Sequence, residues 1–246
     1  MFKSKSKLII VVMLIFGITA FMSCEKRETN TELPPNDISY YTLYDSVGYW
    51  HNVAVSNVYK SVARSGEINY KSIHNQIIDA LYAIDSSTFN LIAMQANIIL
   101  MDNKYNSDLN IVIDDSVLIL NSQSYISMFN DLSNENEISN QLEDSLISIT
   151  NLVNNGVPMD VFLNEVHSLQ TISWSATDQL FVNILIQTVD ASYQFWIIEG
   201  NYSGRACDTC IIWADAAGAL YGMIVPGGIT SIIVGAVFST IAAIQQ

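Results

Sequence analysis

The sequence predicts a mainly α fold: a single-domain helical bundle that carries a C-terminal apolar helical hairpin over residues 211–246. Three observations lead there. Apolar residues recur at steps of three and four along most of the chain after Ile38. Half of the 246 residues are hydrophobic and only 14% are charged, enough for one full core. From Ala216 to Gln246 there is no charged side chain at all.

Taken in order, "MFKSKSKLIIVVMLIFGITAFMSC" opens with Lys3, Lys5 and Lys7, runs apolar from Leu8 to Met22 and ends on Ser23-Cys24. A basic start, an apolar run too short to span comfortably and a small residue before the cut make a secretory signal over 1–23. Phe21-Met22-Ser23-Cys24 resembles a bacterial lipobox, in which the cysteine is acylated and becomes the mature N-terminus. Its first position departs from the commoner Leu. Residues 24–37, "CEKRETNTELPPND", are polar and stiffened by Pro34-Pro35, so they read as a lipidated cysteine followed by a tether. Residues 38–246 form the helical domain.

In "DSVGYWHNVAVSNVYKSVAR", Val47, Trp50, Ala54, Val58 and Val62 share one helical face, with Asp45 or Ser46 placed to cap. "YKSIHNQIIDALYAID" repeats the stripe with Ile73, Ile77, Leu81 and Ile84. "STFNLIAMQANIILMD" is apolar nearly all round, which predicts a central helix. The β-branched "LNIVIDDSVLIL", near 109–121, fits either a small β-hairpin or a buried helical segment. Ile138, Leu142, Leu146, Ile149 and Val153 form the next stripe, closed by Gly156 as C-cap, and Pro158 precedes a short helix start. "SATDQLFVNILIQTVDASYQFWIIEG" opens with Ser175 and Asp178 as a capping box and closes at Gly200. In the tail, Pro226-Gly227-Gly228 separates two apolar halves. Each is about 22 Å long at 1.5 Å per residue, against roughly 30 Å of bilayer hydrocarbon. Small residues at four-residue steps, Gly218 and Gly222, then Ser231, Gly235, Ser239 and Ala243, let two helix backbones approach closely.

Charge narrows the partners. The formal charge is −14; removing 1–23 takes three of the ten basic residues and none of the 24 acidic ones, leaving −17. Such a surface repels phosphate backbones, so nucleic acid is excluded as a partner. The partners expected are the lipid bilayer, through acylated Cys24, and an envelope protein. The localisation expected is the cell envelope, at the periplasmic face or the cell surface.

Candidate chemistry is sparse. Cys207 and Cys210, in "RACDTCIIWADAAG", form a C-x-x-C with three readings: a local disulfide that pins the entry to the tail, a redox pair, or half of a metal site. The disulfide is favoured, because no strand pattern lies near it and only His51, His74 and His167 are on offer as further ligands. His51-Asn52 with a cysteine names the parts of a thiol hydrolase, whereas histidines set among apolar neighbours are more often bonded inside a bundle. "DLSNENEISNQLE" places oxygens as a calcium loop does but lacks its sixth-position glycine and has Leu142 at the twelfth. There is no G-x-S-x-G, P-loop or H-E-x-x-H. No catalytic residue, metal ligand or cofactor is assigned.

Gly48-x-x-His51-Asn52 together with Asp215-Ala216-x-Gly218-Ala219 resembles a group of uncharacterised Bacteroidota lipoproteins and secreted proteins. These pair a G-x-x-H-N segment near the mature N-terminus with a late, Gly/Ala-rich Asp-Ala-x-Gly-Ala stretch. The resemblance covers both ends of the mature chain and implies compartment rather than activity. It marks His51, Asn52 and Asp215 as candidate functional residues. Asp45-Ser46-Val47, Asp115-Ser116-Val117 and Asp144-Ser145-Leu146 also resemble the O-glycosylation acceptor of that phylum. For the tail, three roles stand: core of the bundle, a membrane-interacting hairpin, or the wall of an enzyme pocket with His51 as acid/base. The functional expectation is an envelope-anchored binding or structural module rather than a catalyst.

Overall fold

The computed structural model describes residues 46–65, 69–107, 113–114, 117–118, 121–200, 207–225 and 228–245. The signal, Cys24, the tether, Asp45, Asp115-Ser116 and Pro226-Gly227 lie outside them.

Nine α-helices occur among the described residues: α1 Val47–Ser65, α2 Tyr70–Ile84, α3 Leu91–Ser107, α4 Ser122–Asn134, α5 Asn140–Asn154, α6 Met159–Ser168, α7 Ala176–Tyr193, α8 Asp208–Tyr221 and α9 Ile229–Gln245. Between α3 and α4, Ile113–Asp114 (β1) pairs antiparallel with Val117–Leu118 (β2), Ile113 opposite Leu118. Of "LNIVIDDSVLIL", only these four residues are described, and their pairing is compatible with the small β-hairpin reading.

The helix ends follow from short polar side chains that bind backbone N–H groups otherwise left without partners. Asn69 caps α2 through the Ser72 N–H at 2.9 Å. Asn121 and Ser124 form a reciprocal capping box on α4. Ser175 caps α7 through the Asp178 N–H at 3.0 Å, as the sequence predicts. Asp178 does more than close that cap. Its carboxylate accepts the Ser175 hydroxyl at 2.9 Å and, across the fold, the Ser139 N–H at 2.9 Å, so one buried side chain ties the start of α7 to the start of α5.

The tail forms the core. Along α8 every residue from Ile211 to Tyr221 is buried, and along α9 every residue from Thr230 to Ala243. α9 packs against α1, α2 and α3, whereas α8 packs against α4, α5, α6 and α7; α1 meets α7 and closes the ring. Helices that are apolar all round belong where water does not reach, because each buried methylene contributes about 0.8 kcal/mol. The two helix axes approach closely at their glycines. A Cβ on Gly222 would lie 2.6 Å from the Thr230 carbonyl oxygen and 2.7 Å from the Ser231 Cα, both backbone atoms that cannot swing aside. No described helix is long and apolar enough to cross a membrane.

The stripes on α1 and α5 face inward as expected, with Val47, Ala54, Val58 and Val62 buried, and likewise Ile138, Leu142, Leu146, Ile149 and Val153. Trp50 is half-buried, its ring edge-on to Phe89 at 4.8 Å. Two expectations are corrected. Ile84, the last residue of the α2 stripe, is 49% exposed where the helix ends. The apolar helix α3 is peripheral rather than central: Met94 and Met101 are buried against its neighbours, while Ile92, Ile99 and Leu100 are 78%, 63% and 53% exposed. The hairpin already fills the centre, and α3 packs on α2 and α9 from outside. Within the triplet 144–146, Ser145 lies in mid-α5 with its hydroxyl donating to the Gln141 carbonyl.

Candidate functional site

Asp215 is the last charged residue in the sequence and stands in the middle of the all-apolar α8. A carboxylate in such a place costs several kcal/mol unless partners are supplied. Three elements supply them. His51 on α1 places Nε2 3.0 Å from Asp215 Oδ1, an ion-pair contact bent away from a straight hydrogen bond. On α7, the Ser192 hydroxyl donates to Oδ2. Just beyond α7, the Trp196 indole N–H donates to the same oxygen at 3.1 Å. His51, Ser192, Trp196 and Asp215 are all fully buried.

Trp196 reaches Asp215 because α7 does not end regularly. Residues Gln194–Ile198 form a π-turn in which the Glu199 N–H bonds back five residues, to Gln194 O at 2.9 Å. Inserting one residue into the turn re-aims the side chains that follow, a device often found at functional sites. Tyr59 and Phe195 pack edge-on to the Trp196 ring at 4.8 and 4.7 Å and hold it there.

The protonation of the pair follows from geometry. The Asn52 amide donates to the Ala191 carbonyl at 2.8 Å, so its nitrogen faces α7 and its oxygen faces His51 Nδ1 at 3.0 Å. That oxygen only accepts, hence Nδ1 carries a hydrogen. Nε2 and Asp215 then share one further proton, either as imidazolium with carboxylate or as neutral imidazole with carboxylic acid. Burial works against the charged ring, and the Asp215 charge with hydrogen bonds to Asp215 and Asn52 outweighs it, so His51 titrates above its ordinary value. Burial also raises Asp215, while the His51 charge and the hydrogen bonds from His51, Ser192 and Trp196 pull it back. Both shifts mean that the pair holds its proton to higher pH than the free groups do.

Gly48 sets the distance across which Asn52 reaches. A Cβ there would lie 2.5 Å from the Gln187 carbonyl oxygen and 2.8 Å from the Ala191 Cβ, so α1 meets α7 at backbone contact. Gly218, one turn beyond Asp215, lets α9 come equally close: a Cβ would lie 2.8 Å from Val234 O. The G-x-x-H-N and D-A-x-G-A segments, distant in sequence, therefore meet through His51 and Asp215, with Gly48 admitting α7 to α1 and Gly218 admitting α9 to α8. Gly48→Ala is expected to push α1 off α7 and cost about 1–3 kcal/mol. At about 2–4 °C per kcal/mol for a domain of this size, a thermal melt should read a fall of roughly 2–12 °C.

No family model, no curated protein and no solved structure matches the chain.

The other candidates lie elsewhere. His167 is exposed and pairs with Asp190 at 2.8 Å. His74 is buried on α2 with neither ring nitrogen hydrogen-bonded, its ring edge-on to Tyr70 at 4.6 Å. Cys207 and Cys210 are joined as a disulfide at the first turn of α8, with Cα atoms 5.2 Å apart. It lines a cleft of about 590 Å³ between α4, α5 and the ends of α8 and α9. Asn121, Ser122, Tyr125, Asn154 and Gln245 contribute amides and hydroxyls there, over a wall that includes Trp213. The Trp213 indole donates to Thr150 Oγ1 at 3.2 Å, and that hydroxyl donates on to Leu146 O at 2.8 Å. Tyr125 also lines the cleft, and burial, then the Asp215 charge, push its phenol well above the ordinary range.

Sequence reasoning marks His51, Asn52 and Asp215, and the structure brings all three together. It misses Ser192, Trp196 and Tyr125. A lone acidic residue inside an apolar helix was the available signal that further donors must exist. The arrangement itself resembles no Ser-His-Asp triad: Asp215 stands between His51 and Ser192, so the hydroxyl donates to the carboxylate and not to the imidazole.

Proposed function

We propose that this chain is an envelope-anchored bacterial lipoprotein whose helical domain is a binding module. Its site is the cleft between α4, α5 and the ends of α8 and α9. The observation that carries the reading is the contrast between two polar clusters. His51, Asp215 and Ser192 are sealed from solvent and contact one another through an ion pair and a hydrogen bond, the behaviour of a core lock. The cleft is partly open, and among the described residues none of its lining side chains is charged, in a chain of formal charge −14. Amides and hydroxyls over an apolar wall suit a neutral, hydrogen-bonding ligand. Kinship with the Bacteroidota lipoproteins belongs to the same proposal: it draws support from the way the two motifs supply opposite halves of one buried pair.

Two measurements test it in a bacterial host. Cys24→Ala should abolish incorporation of a lipid label and release the protein from the membrane fraction. Retention in that fraction without label would favour the membrane-interacting reading of the 211–246 hairpin. A photo-crosslinking residue at Asn121 in the cleft should give a discrete adduct that the same residue at exposed Val161 on α6 does not. Equal labelling at both positions would remove the cleft from consideration.

A further inference from the structure

The disulfide is poorly placed to stabilise the fold. It joins residues three apart within one helical turn, so it ties no two elements together and removes little freedom from the unfolded chain. Its surroundings suit chemistry better. Cys207 is the N-cap of α8, a helix of 14 residues, and its Sγ accepts the Cys210 N–H at 3.2 Å and lies 3.4 Å from the Thr209 hydroxyl. A thiolate at Cys207 would keep both partners and gain the positive end of the helix dipole, the setting that lowers a thiol's pKa. Both cysteines are half-buried and face the cleft, so one sulfur can be approached without opening the core.

We propose that Cys207–Cys210 is a thiol–disulfide exchange site that oxidises a dithiol on a low-charge polypeptide segment lying in the cleft. The choice of segment rests on the cleft as ligand site, because its amides and hydroxyls match the donors and acceptors of a peptide backbone. A partner thiolate attacks Cys210 Sγ; the Cys207–Cys210 bond breaks and Cys207 leaves as the stabilised thiolate. The partner's second thiolate then attacks the partner sulfur of the mixed disulfide and releases Cys210. The partner is oxidised to its disulfide, the pair gains two electrons, and the partner's two protons pass to the cysteines or to solvent.

The test uses the mature chain. In glutathione redox buffers the wild-type pair should reach an equilibrium mixture of oxidised and reduced forms, read by alkylation and mass. In Cys210→Ser, Cys207 should alkylate about tenfold faster at pH 7 than Cys210 does in Cys207→Ser, because its thiolate forms at lower pH. A pair that stays oxidised in glutathione and opens only on unfolding overturns the proposal; so do single thiols that react at equal, ordinary rates. The wild-type equilibrium decides the matter even where a variant fails to fold. A peptide carrying Cys-Gly-Gly-Cys should be oxidised faster than dithiothreitol, and Asn154→Trp, which crowds the cleft, should remove that advantage. Equal rates for peptide and dithiothreitol, unmoved by Asn154→Trp, would leave the exchange chemistry standing and sink the cleft as its ligand site.

Discussion

Asp215→Ala should lower the stability of the folded domain by about 3–5 kcal/mol, the usual consequence of removing one member of a buried charged pair. The loss has two parts. His51 is left buried with its Nε2 unpaired, and the Ser192 hydroxyl and Trp196 indole lose their acceptor. Asp215→Asn should cost less than half as much. Its amide oxygen can accept from Ser192 and Trp196, and its NH2 can donate to neutral His51 Nε2 while Nδ1–H stays on Asn52. The pH dependence separates the two variants further. Both groups of the native pair have raised pKa values, so above about pH 6.5 the folded state holds a proton that the unfolded chain has given up. That contribution is present below pH 6.5 and is lost as pH rises through the folded value. The gap between wild type and Asp215→Asn should therefore narrow with rising pH in urea unfolding series. A gap that does not change with pH would show that the pair does not hold its proton.

His74 should dominate the response to acid. Burial without a hydrogen-bond partner lowers its pKa to about 3, against an ordinary value of 6.5. Because the folded value is depressed, the stabilisation is present above pH 6.5 and is lost as pH falls, when the unfolded chain takes a proton that the folded ring refuses. Each pH unit between about 6.5 and 3 should cost about 1.4 kcal/mol. At pH 4.5 that comes to about 2.7 kcal/mol. His74→Leu keeps an apolar side chain of similar reach against Tyr70 and should flatten this part of the profile, gaining on wild type steadily as the pH is lowered. Parallel profiles for the two proteins would refute the assignment. Taken with the pair at Asp215, these two histidines place the stability maximum that they jointly contribute near pH 6.5.

How much of this could be read without coordinates differs from residue to residue. The stripes of α1 and α5 were legible because their polar and apolar faces differ sharply. The tail was legible as a helical hairpin because Pro226-Gly227-Gly228 breaks two apolar halves, whereas its burial in the core is one of three roles the sequence leaves open and is decided by the structure. α3 was misread for a physical reason: an all-round apolar pattern says that a helix can be central, not that space remains at the centre. α4 was concealed by serines and asparagines of modest helix propensity, and its buried face of Tyr125, Met128, Phe129 and Leu132 shows only once Asn121 is seen to cap it. At the site, the motifs carry the histidine and the carboxylate. Ser192 and Trp196 depend on a π-turn, and no periodicity of 3.6 residues foretells an inserted residue.

The order of the helices along the chain bears on how the molecule must come together. α1 packs against α9, yet the whole of α2 to α8 separates them in sequence. At about 5–20 residues per second, roughly ten to forty seconds pass between the synthesis of α1 and that of its partner. Contacts between α1 and α9 therefore carry a high sequence separation, and closing them is expected to be a late step of folding, which hydrogen-exchange labelling during refolding would read.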